Sequence, residues 1–452
     1  MLRTHTCGEL RKEHVGKKIT LSGWVDSVRS HGKITFIDIR DRYGKTQVVI
    51  KQENELKPEY CVSISGEVKA RKEGTENKDL DTGDIEVLAD SVEVFNKCPP
   101  LPFELNDEKV SDEVKAKHRY LDLRSEKMKG NLVLRHKVYN AIHEFMNKED
   151  FAYIDTPILA KSTPEGARDY LVPSRVNEGK FYALPQSPQL FKQLLMMSGF
   201  DRYYQLARCF RDEDLRADRQ PEFTQLDIEM SFIEVEDIIS TMEKLMKHVF
   251  KKALGVDIKI PFPRLSYDEA MKKYKRDNPD TRKKGDRFAF TWVTDFPMFE
   301  YDDELKRWSA VHHPFTRPEE NADYSKPGNV KSLAYDLVLN GSEIGGGSIR
   351  IHDSETQQKV FDVLGIDKKE AREKFGFLLD ALSYGAPPHG GIAFGLDRIC
   401  QIMTESESIR DVIAFPKNKA AQDVMLNAPS EISSNQLKEA HIKLDIKKKK
   451  SK

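Results

Sequence analysis

The chain has 452 residues, and its 73 Lys+Arg against 74 Asp+Glu leave a formal net charge of −1, so bulk positive charge does not hold it to nucleic acid, although a local basic face stays open. Hydrophobic residues at 38% and charged residues at 33% suit a soluble protein of two or three domains at about 150 residues each, and no apolar run reaches the roughly 18 residues of a membrane span. Cys7, Cys61, Cys98, Cys209 and Cys400, scattered without CxxC spacing, read as reduced thiols of a cytoplasmic protein with no zinc site. Glu9 and Glu13 ahead of a strand-like pattern speak against a signal or transit peptide.

Five period-2 runs come first, at residues 18–25, 33–39, 46–50, 60–68 and 84–95, and read as strands. Ser30-His31-Gly32, Arg40-Asp41-Arg42-Tyr43-Gly44 and Asp81-Thr82-Gly83 supply the turn chemistry between them. Five short strands within residues 1–104 fit a small closed β-barrel of the OB type, whose exposed face commonly binds oligonucleotides. Phe36 shares a run with Ile34, Ile37 and Ile39 that is apolar on both faces. Core packing is its plain reading; an aromatic left over on the outer side favours stacking on a base. Cys98-Pro99-Pro100-Leu101-Pro102 stops the last strand, and charged residues 105–130 read as a stiff linker and hinge. From Asn131 the period turns helical, with Leu134, Val138, Ala141, Ile142 and Phe145 forming one apolar stripe; His136 and His143 on it have surface or packing roles. Strands and helices then mix through residue 430, which makes the whole chain α+β. Residues 431–443 read as one terminal helix, and the lysines at 447–450 and 452 as a solvated tail of the extension 431–452.

Four segments carry chemistry. In residues 221–230 (PEFTQLDIEM), Leu226, Ile228 and Met230 point one way, and Phe223, Gln225, Asp227 and Glu229 the other. Polar groups buried in a row mid-sheet are costly unless something pairs with them, so this face either lines a site or is half-solvated. In residues 335–352, Ile349 and Ile351 face inward and Ser348, Arg350 and His352 the opposite way. Gly345, Gly346 and Gly347 interrupt this strand pattern, which suits close approach of a ligand to the backbone, or else a bulge. Ser187 as N-cap and Pro188 at the first helical position open a helix that puts Gln189, Lys192 and Gln193 on one face; Lys192 is either solvated or part of a site. Residues 387–399 form a Gly-rich turn, an apolar strand and a helix start carrying Arg398. No Walker A sequence and no GxGxxG after a strand is present, which disfavours P-loop and Rossmann nucleotide sites.

Phe210-Arg211-Asp212-Glu213 with its following strand resembles motif 2 of the class II aminoacyl-tRNA synthetases, and Gly395-Leu396-Asp397-Arg398 resembles motif 3. Residues 151–157 (FAYIDTP), with Pro157, resemble motif 1, the dimer-interface segment, and residues 162–169 (STPEGARD) are similar to the loop that closes over the bound amino acid. The likeness runs from about residue 2 to 443 and in spelling follows the bacterial aspartyl-tRNA synthetases; the class I signatures HIGH and KMSKS are absent. It implies a catalytic domain over 131–430, built on a six- to seven-stranded antiparallel sheet flanked by helices, and a homodimer. It implies ATP and Mg2+, with L-aspartate and tRNA-Asp as the other substrates and tRNA-Asn as an open second acceptor. Arg211 would grip the α-phosphate and Arg398 the γ-phosphate, with Glu343 completing the catalytic set, and Phe223 would stack on adenine opposite Arg398. Glu213, Gln225, Glu229, Gly347 and Gly395 would complete the ATP site, and Asp336 and Glu343 would hold magnesium. Glu165, Ser187, Gln189 and Asp227 would surround the substrate ammonium; Lys192 and Arg350, with His312 or His313, would surround its side-chain carboxylate. Two buried cations without protein partners are costly, so a ligand carboxylate is their natural complement, and this favours aspartate over asparagine. In the barrel, Phe36 would stack on the central anticodon base, with Arg29, Gln47 and Glu86 in contact.

The sequence departs from the bacterial pattern in one large respect: the inserted domain between motifs 2 and 3 is absent, and Lys283-Lys284-Gly285-Asp286 alone joins its flanks. His31-Gly32 falls where some members that charge both tRNA-Asp and tRNA-Asn carry histidine, which makes dual charging a hypothesis. Two rivals stand beside the synthetase: a tRNA-independent aspartate-adenylating asparagine synthetase, which would not need Phe36 or Gln47, and a non-catalytic RNA-binding paralogue, which would not need Arg211, Arg398 and Glu343.

Overall fold

The computed structural model describes residues 1–162, 166–304 and 306–445, and the chain divides into two compact units, Met1–Val110 and Ser111–Lys452. The first is a closed barrel of five strands, Lys18–His31, Ile34–Arg40, Lys45–Ile50, Cys61–Ala70 and Ile85–Asn96. The period-2 runs dictate it, because every second residue (Ile19, Leu21, Val25, Ile37, Ile39, Val48, Val62, Ile64, Val87) is buried in one core and their neighbours point outward. Closure comes from the parallel pairing of Val48 with Val87 and Val49 with Leu88.

The stretch 105–130 is not a plain linker. It is helical over Asp112–Lys117 and Arg119–Asp122 and belongs to the second unit from Ser111 on. Arg119, 8% exposed, explains the docking: its guanidinium donates to the carbonyls of Arg410, Ile413 and Ala414 and pairs with Asp122. These acceptors lie almost three hundred residues downstream, beyond the reach of any local pattern.

The second unit is built on one eight-stranded sheet. Its order is Arg264–Ser266, Phe290–Thr294, Ala334–Leu339, Ser342–Ile349, His389–Gly395, Glu222–Ser231, Arg202–Phe210 and Ala152–Tyr153. The six central strands are antiparallel, and the strand added at each edge pairs parallel, so the sheet is wider than the six or seven strands expected. Helices Glu126–Lys148 and Val235–Leu254 bury their apolar stripes on one face, where Val138, Ile142, Ile238, Met242 and Leu245 share a core with Leu226, Ile228, Leu337, Ile392 and Phe394. The opposite face carries the polar members of the same strands. The C-terminal helix is only Ser434–Glu439, shorter than 431–443, and the lysine tail lies outside the described residues.

Candidate active site

The Glu222–Ser231 strand alternates as its sequence dictates, yet both faces are covered. Asp227 is 1% and Glu229 0% exposed, so polar groups lie in the interior and must find partners. Lys192 comes from the Gln189–Met197 helix, which starts one residue later than expected: Pro188 is its N-cap, and Ser187 Oγ accepts the Gln189 backbone N–H at 3.3 Å. Lys192 Nζ reaches Asp227 Oδ1 at 2.7 Å, the Ile228 carbonyl at 3.3 Å and Glu229 Oε2 at 3.3 Å. Arg350, just past the Ser342–Ile349 strand, grips Glu229 with two donors, Nε to Oε1 at 2.9 Å and Nη2 to Oε2 at 3.1 Å. Its Nη1 lies 2.7 Å from both Ser348 Oγ and His313 Nε2.

Lys192 and Arg350 therefore converge, but they are not partnerless. Each is neutralised by a protein carboxylate, and the four groups form a buried ring of zero net charge, which removes the charge argument for a ligand carboxylate. Glu229 belongs to this ring and not to an open nucleotide surface. What the ring leaves open is Asp227 Oδ2, which is buried with no hydrogen-bond partner, as is Gln189 Nε2. Burial pushes the Asp227 carboxyl up to about 6 against the opposing pull of Lys192. Burial and then the Arg350 charge hold His313 well below the usual histidine range, so its ring is neutral.

The glycines serve protein atoms first. A side chain at Gly345 would strike Phe394, at Gly347 the Gly391 backbone, and at Gly391 the Glu229 carboxylate and the Ile228 carbonyl. Gly347 is buried against its neighbouring strand, so its expected contact with ATP has no open surface. Gly346 is the informative position. A Cβ there would sit 2.6 Å from Asp336 Oδ1 and 3.5 Å from Glu343 Oε1, so two carboxylates overhang the same bare stretch of strand. The Asp336 charge pushes the Glu343 carboxyl up to about 7; because Glu343 is exposed, repulsion outweighs burial there. His312 Nε2 faces Asp336 Oδ1 at 3.3 Å, and although burial opposes it, this contact with the Glu343 charge raises the imidazole above its ordinary value. The two histidines thus separate: His313 sits with Arg350, His312 with the acidic pair.

On the nucleotide side, the cation over the Phe223 ring is Arg211, 5.1 Å from its centroid, where the resemblance implied Arg398 across a base. Arg211 Nε is buried with no acceptor. Arg398 instead donates to the Glu343 carbonyl and approaches Asp218 at 3.4 Å, which brings it to the acidic pair. Gln225 Oε1 accepts from Cys209 Sγ at 3.3 Å, Glu213 pairs with Arg219 at 2.9 Å, and Gly395 caps the Leu396–Met403 helix. Glu165 lies outside the described residues. Three groups went unassigned from sequence: Gln193 and His389, 3.4 Å apart and both buried, and Asp397. Two of them carried a signal: Gln193 in the helix face it shares with Lys192, and Asp397 in its place beside Arg398.

On the barrel, Arg29 stands opposite Phe36 in register. Arg29 Nη2 reaches Asp38 at 3.0 Å and Gln47 at 3.3 Å, and Gln47 donates to Glu86 at 2.9 Å. Five residues from four strands thus share one outer face, with His31 edge-on to Phe36 at 6.0 Å.

An open, mainly antiparallel sheet with cations at a strand end and a helix start, joined in sequence to an OB barrel, is the plan of a class II synthetase. Residues 111–419 match the model for tRNA synthetases class II (D, K and N), and residues 19–95 that for an OB-fold nucleic acid binding domain; the chain belongs to this class II family, whose members use ATP as substrate. Its relatives narrow the family further. The chain is 44% identical to the aspartate–tRNA(Asp/Asn) ligase of Caldanaerobacter subterraneus over 98% of each chain, and 45% identical to the aspartate–tRNA ligase of Thermosipho africanus over 99% of each. The first alignment runs to 583 positions against a chain of 452, so well over a hundred positions have no counterpart here. Among solved structures, asparaginyl-tRNA synthetase from Pyrococcus horikoshii complexed with asparaginyl-adenylate superposes with a TM-score of 0.77 at 25% identity, covering 92% of this chain and 98% of that one.

Proposed function

We propose that the protein is an aspartate–tRNA ligase, which activates L-aspartate with ATP and passes it to the 3′-hydroxyl of tRNA-Asp. One observation carries this reading: the buried ring of Lys192, Asp227, Glu229 and Arg350 leaves a single anionic oxygen, Asp227 Oδ2, unpartnered. A substrate ammonium is its complement. Arg350 Nη1, braced by neutral His313 and Ser348, is the donor that a substrate side-chain carboxylate would meet, and the relatives named for aspartate support that choice over asparagine.

Activation then needs no protein base. The aspartate α-carboxylate forms a bond to the α-phosphorus while the bond to the bridging oxygen breaks and pyrophosphate leaves. Arg211 and Arg398 meet the charge that grows on the phosphates, and alignment supplies much of the remainder. The adenine would lie between Phe223 and Arg398, with Arg211, which now covers the Phe223 ring, moving onto the α-phosphate. Asp336 and Glu343 suit a magnesium ion on the phosphates, since two mutually repelling carboxylates over a glycine offer the oxygen ligands that this ion takes; when bound, it would neutralise phosphate charge. In the second step the terminal ribose hydroxyl attacks the aspartyl carbonyl and AMP leaves. Phe36, Arg29, Gln47 and Glu86 read the anticodon, and His31 beside Phe36 supports tRNA-Asn as a second acceptor. Exposed Tyr153, Ile158 and Leu159 at and just beyond the edge strand support a homodimer, and a role in tRNA charging supports a cytoplasmic protein.

The test is ATP–pyrophosphate exchange on the purified chain, driven by aspartate and then by asparagine, followed by charging of tRNA-Asp and tRNA-Asn transcripts. Exchange with aspartate alone is expected. Exchange with asparagine alone would reassign the substrate, and aspartate consumption that yields free asparagine without tRNA would favour the asparagine synthetase.

A further inference from the structure

The Leu396–Met403 helix presents Arg398 from its first turn, and the residue before it faces inward. Asp397 is 4% exposed, and both its oxygens are engaged: Oδ2 accepts the backbone N–H of Thr224 at 2.8 Å and Oδ1 the Arg135 guanidinium. This contact falls at a particular place. The ladder between the Glu222–Ser231 and His389–Gly395 strands ends at Gln225 opposite Gly395, where the second chain turns into its helix. The next N–H available on the first strand, that of Thr224, takes the Asp397 carboxylate instead. The amide so held belongs to the peptide bond between Phe223 and Thr224. Arg135, from the Glu126–Lys148 helix, closes the joint: Nη2 reaches Thr224 Oγ1 at 3.2 Å, Nη1 the Val412 carbonyl at 3.0 Å, and Nη2 the Tyr139 hydroxyl at 2.7 Å.

We propose that Asp397, locked by Arg135, is the positioning residue of the nucleotide clamp: by tying the start of the Arg398 helix to the Phe223–Thr224 peptide it sets the gap between the Phe223 ring and the Arg398 guanidinium in which adenine lies. The proposal rests on the ATP-dependent reading above. Neither Asp397 nor Arg135 touches substrate. A carboxylate suits the joint because it accepts a backbone N–H and a guanidinium at once, and the first turn of a helix favours an anion. The buried ring around Lys192 shares the Glu222–Ser231 strand through Asp227 and Glu229 but none of these bonds, so ATP and aspartate affinities should respond separately.

Aspartate-dependent ATP–pyrophosphate exchange, with KM measured for each substrate, tests this in Asp397→Ala, Asp397→Glu, Arg135→Gln and the Asp397→Ala/Arg135→Gln double variant. Asp397→Ala is expected to raise the ATP KM about tenfold or more and leave the aspartate KM within about twofold. Asp397→Glu should recover part of the loss, and the double variant should be no worse than the poorer single one, because the two residues act as one unit. Equal rises in both KM values, or a fall in kcat that follows only the fraction of folded protein, would overturn the proposal. Lack of exchange in the wild-type protein would instead sink the functional reading on which it rests.

Discussion

Replacing Lys192 by methionine should turn the amino-acid site into a pH-dependent weak point of the fold. In the wild-type chain Asp227 moves from its ordinary 3.8 to about 6 on burial, with Lys192 opposing the rise, which at 1.36 kcal/mol per pKa unit corresponds to about 3 kcal/mol against the charged form. A carboxyl raised in the folded state lends stability that is complete below its unfolded value and fades as pH climbs through its folded value; for Asp227 that window is from 3.8 to about 6. Lys192→Met removes the 2.7 Å partner of Oδ1 and leaves Glu229 to Arg350 alone, so the Asp227 value moves higher and the window extends upward past 6. Breaking a buried pair typically costs about 3–5 kcal/mol. The loss should approach that range at pH 8 and be clearly smaller at pH 6, where Asp227 takes up a proton. Urea denaturation midpoints at the two pH values measure it, and Lys192→Met/Asp227→Asn should recover most of the stability, but not the activity, at pH 8. A loss below about 1 kcal/mol at pH 8, or one identical at both pH values, would refute the buried ring as the cause.

Three further outcomes are expected. Arg350→Leu should abolish aspartate-dependent pyrophosphate exchange and lower the melting temperature, and Arg350→Lys should rescue little, since one ammonium cannot replace two donors on Glu229 while also holding Ser348 and His313. Gly391→Ala should destabilise the fold, because the added methyl overlaps the Glu229 carboxylate and the Ile228 carbonyl; a melting curve unchanged from wild type would show that the strand yields there at no cost. Phe36→Ala should raise the KM for tRNA-Asp by about five- to a hundredfold, the worth of one base stacked on an aromatic ring at about 1–3 kcal/mol, and leave tRNA-independent exchange untouched.

Much of the fold was legible in the sequence, because alternation is a local property. Four barrel strands follow their period-2 runs closely, while the first continues past Val25 to His31 and takes in Ser30 and His31 of the expected turn, and Leu226, Ile228 and Met230 take the core face as their spacing requires. Motif residues Arg211, Arg398 and Glu343 could be picked out, and the last two do meet, through the Glu343 carbonyl. What stayed hidden depends on distant pairing. Nothing near Lys192 or Arg350 in sequence shows that Asp227 and Glu229 neutralise them, since the partners lie up to 121 residues away. The glycines misled for the same reason: their neighbours are Phe394, Gly391 and Glu229 across the sheet. The 105–130 stretch looked like a hinge because its anchors for Arg119 lie near the other end of the chain.

The buried ring takes one ion from a helix, two from the central strand and one from just past the glycine-broken strand, and no ion can be exchanged alone without stranding its counterpart. The pocket therefore resists drift. A descendant seeking a differently charged amino acid has to change two positions together, passing through a poorly folded intermediate or arriving by simultaneous substitution, so substrate choice and tertiary structure are inherited as one unit.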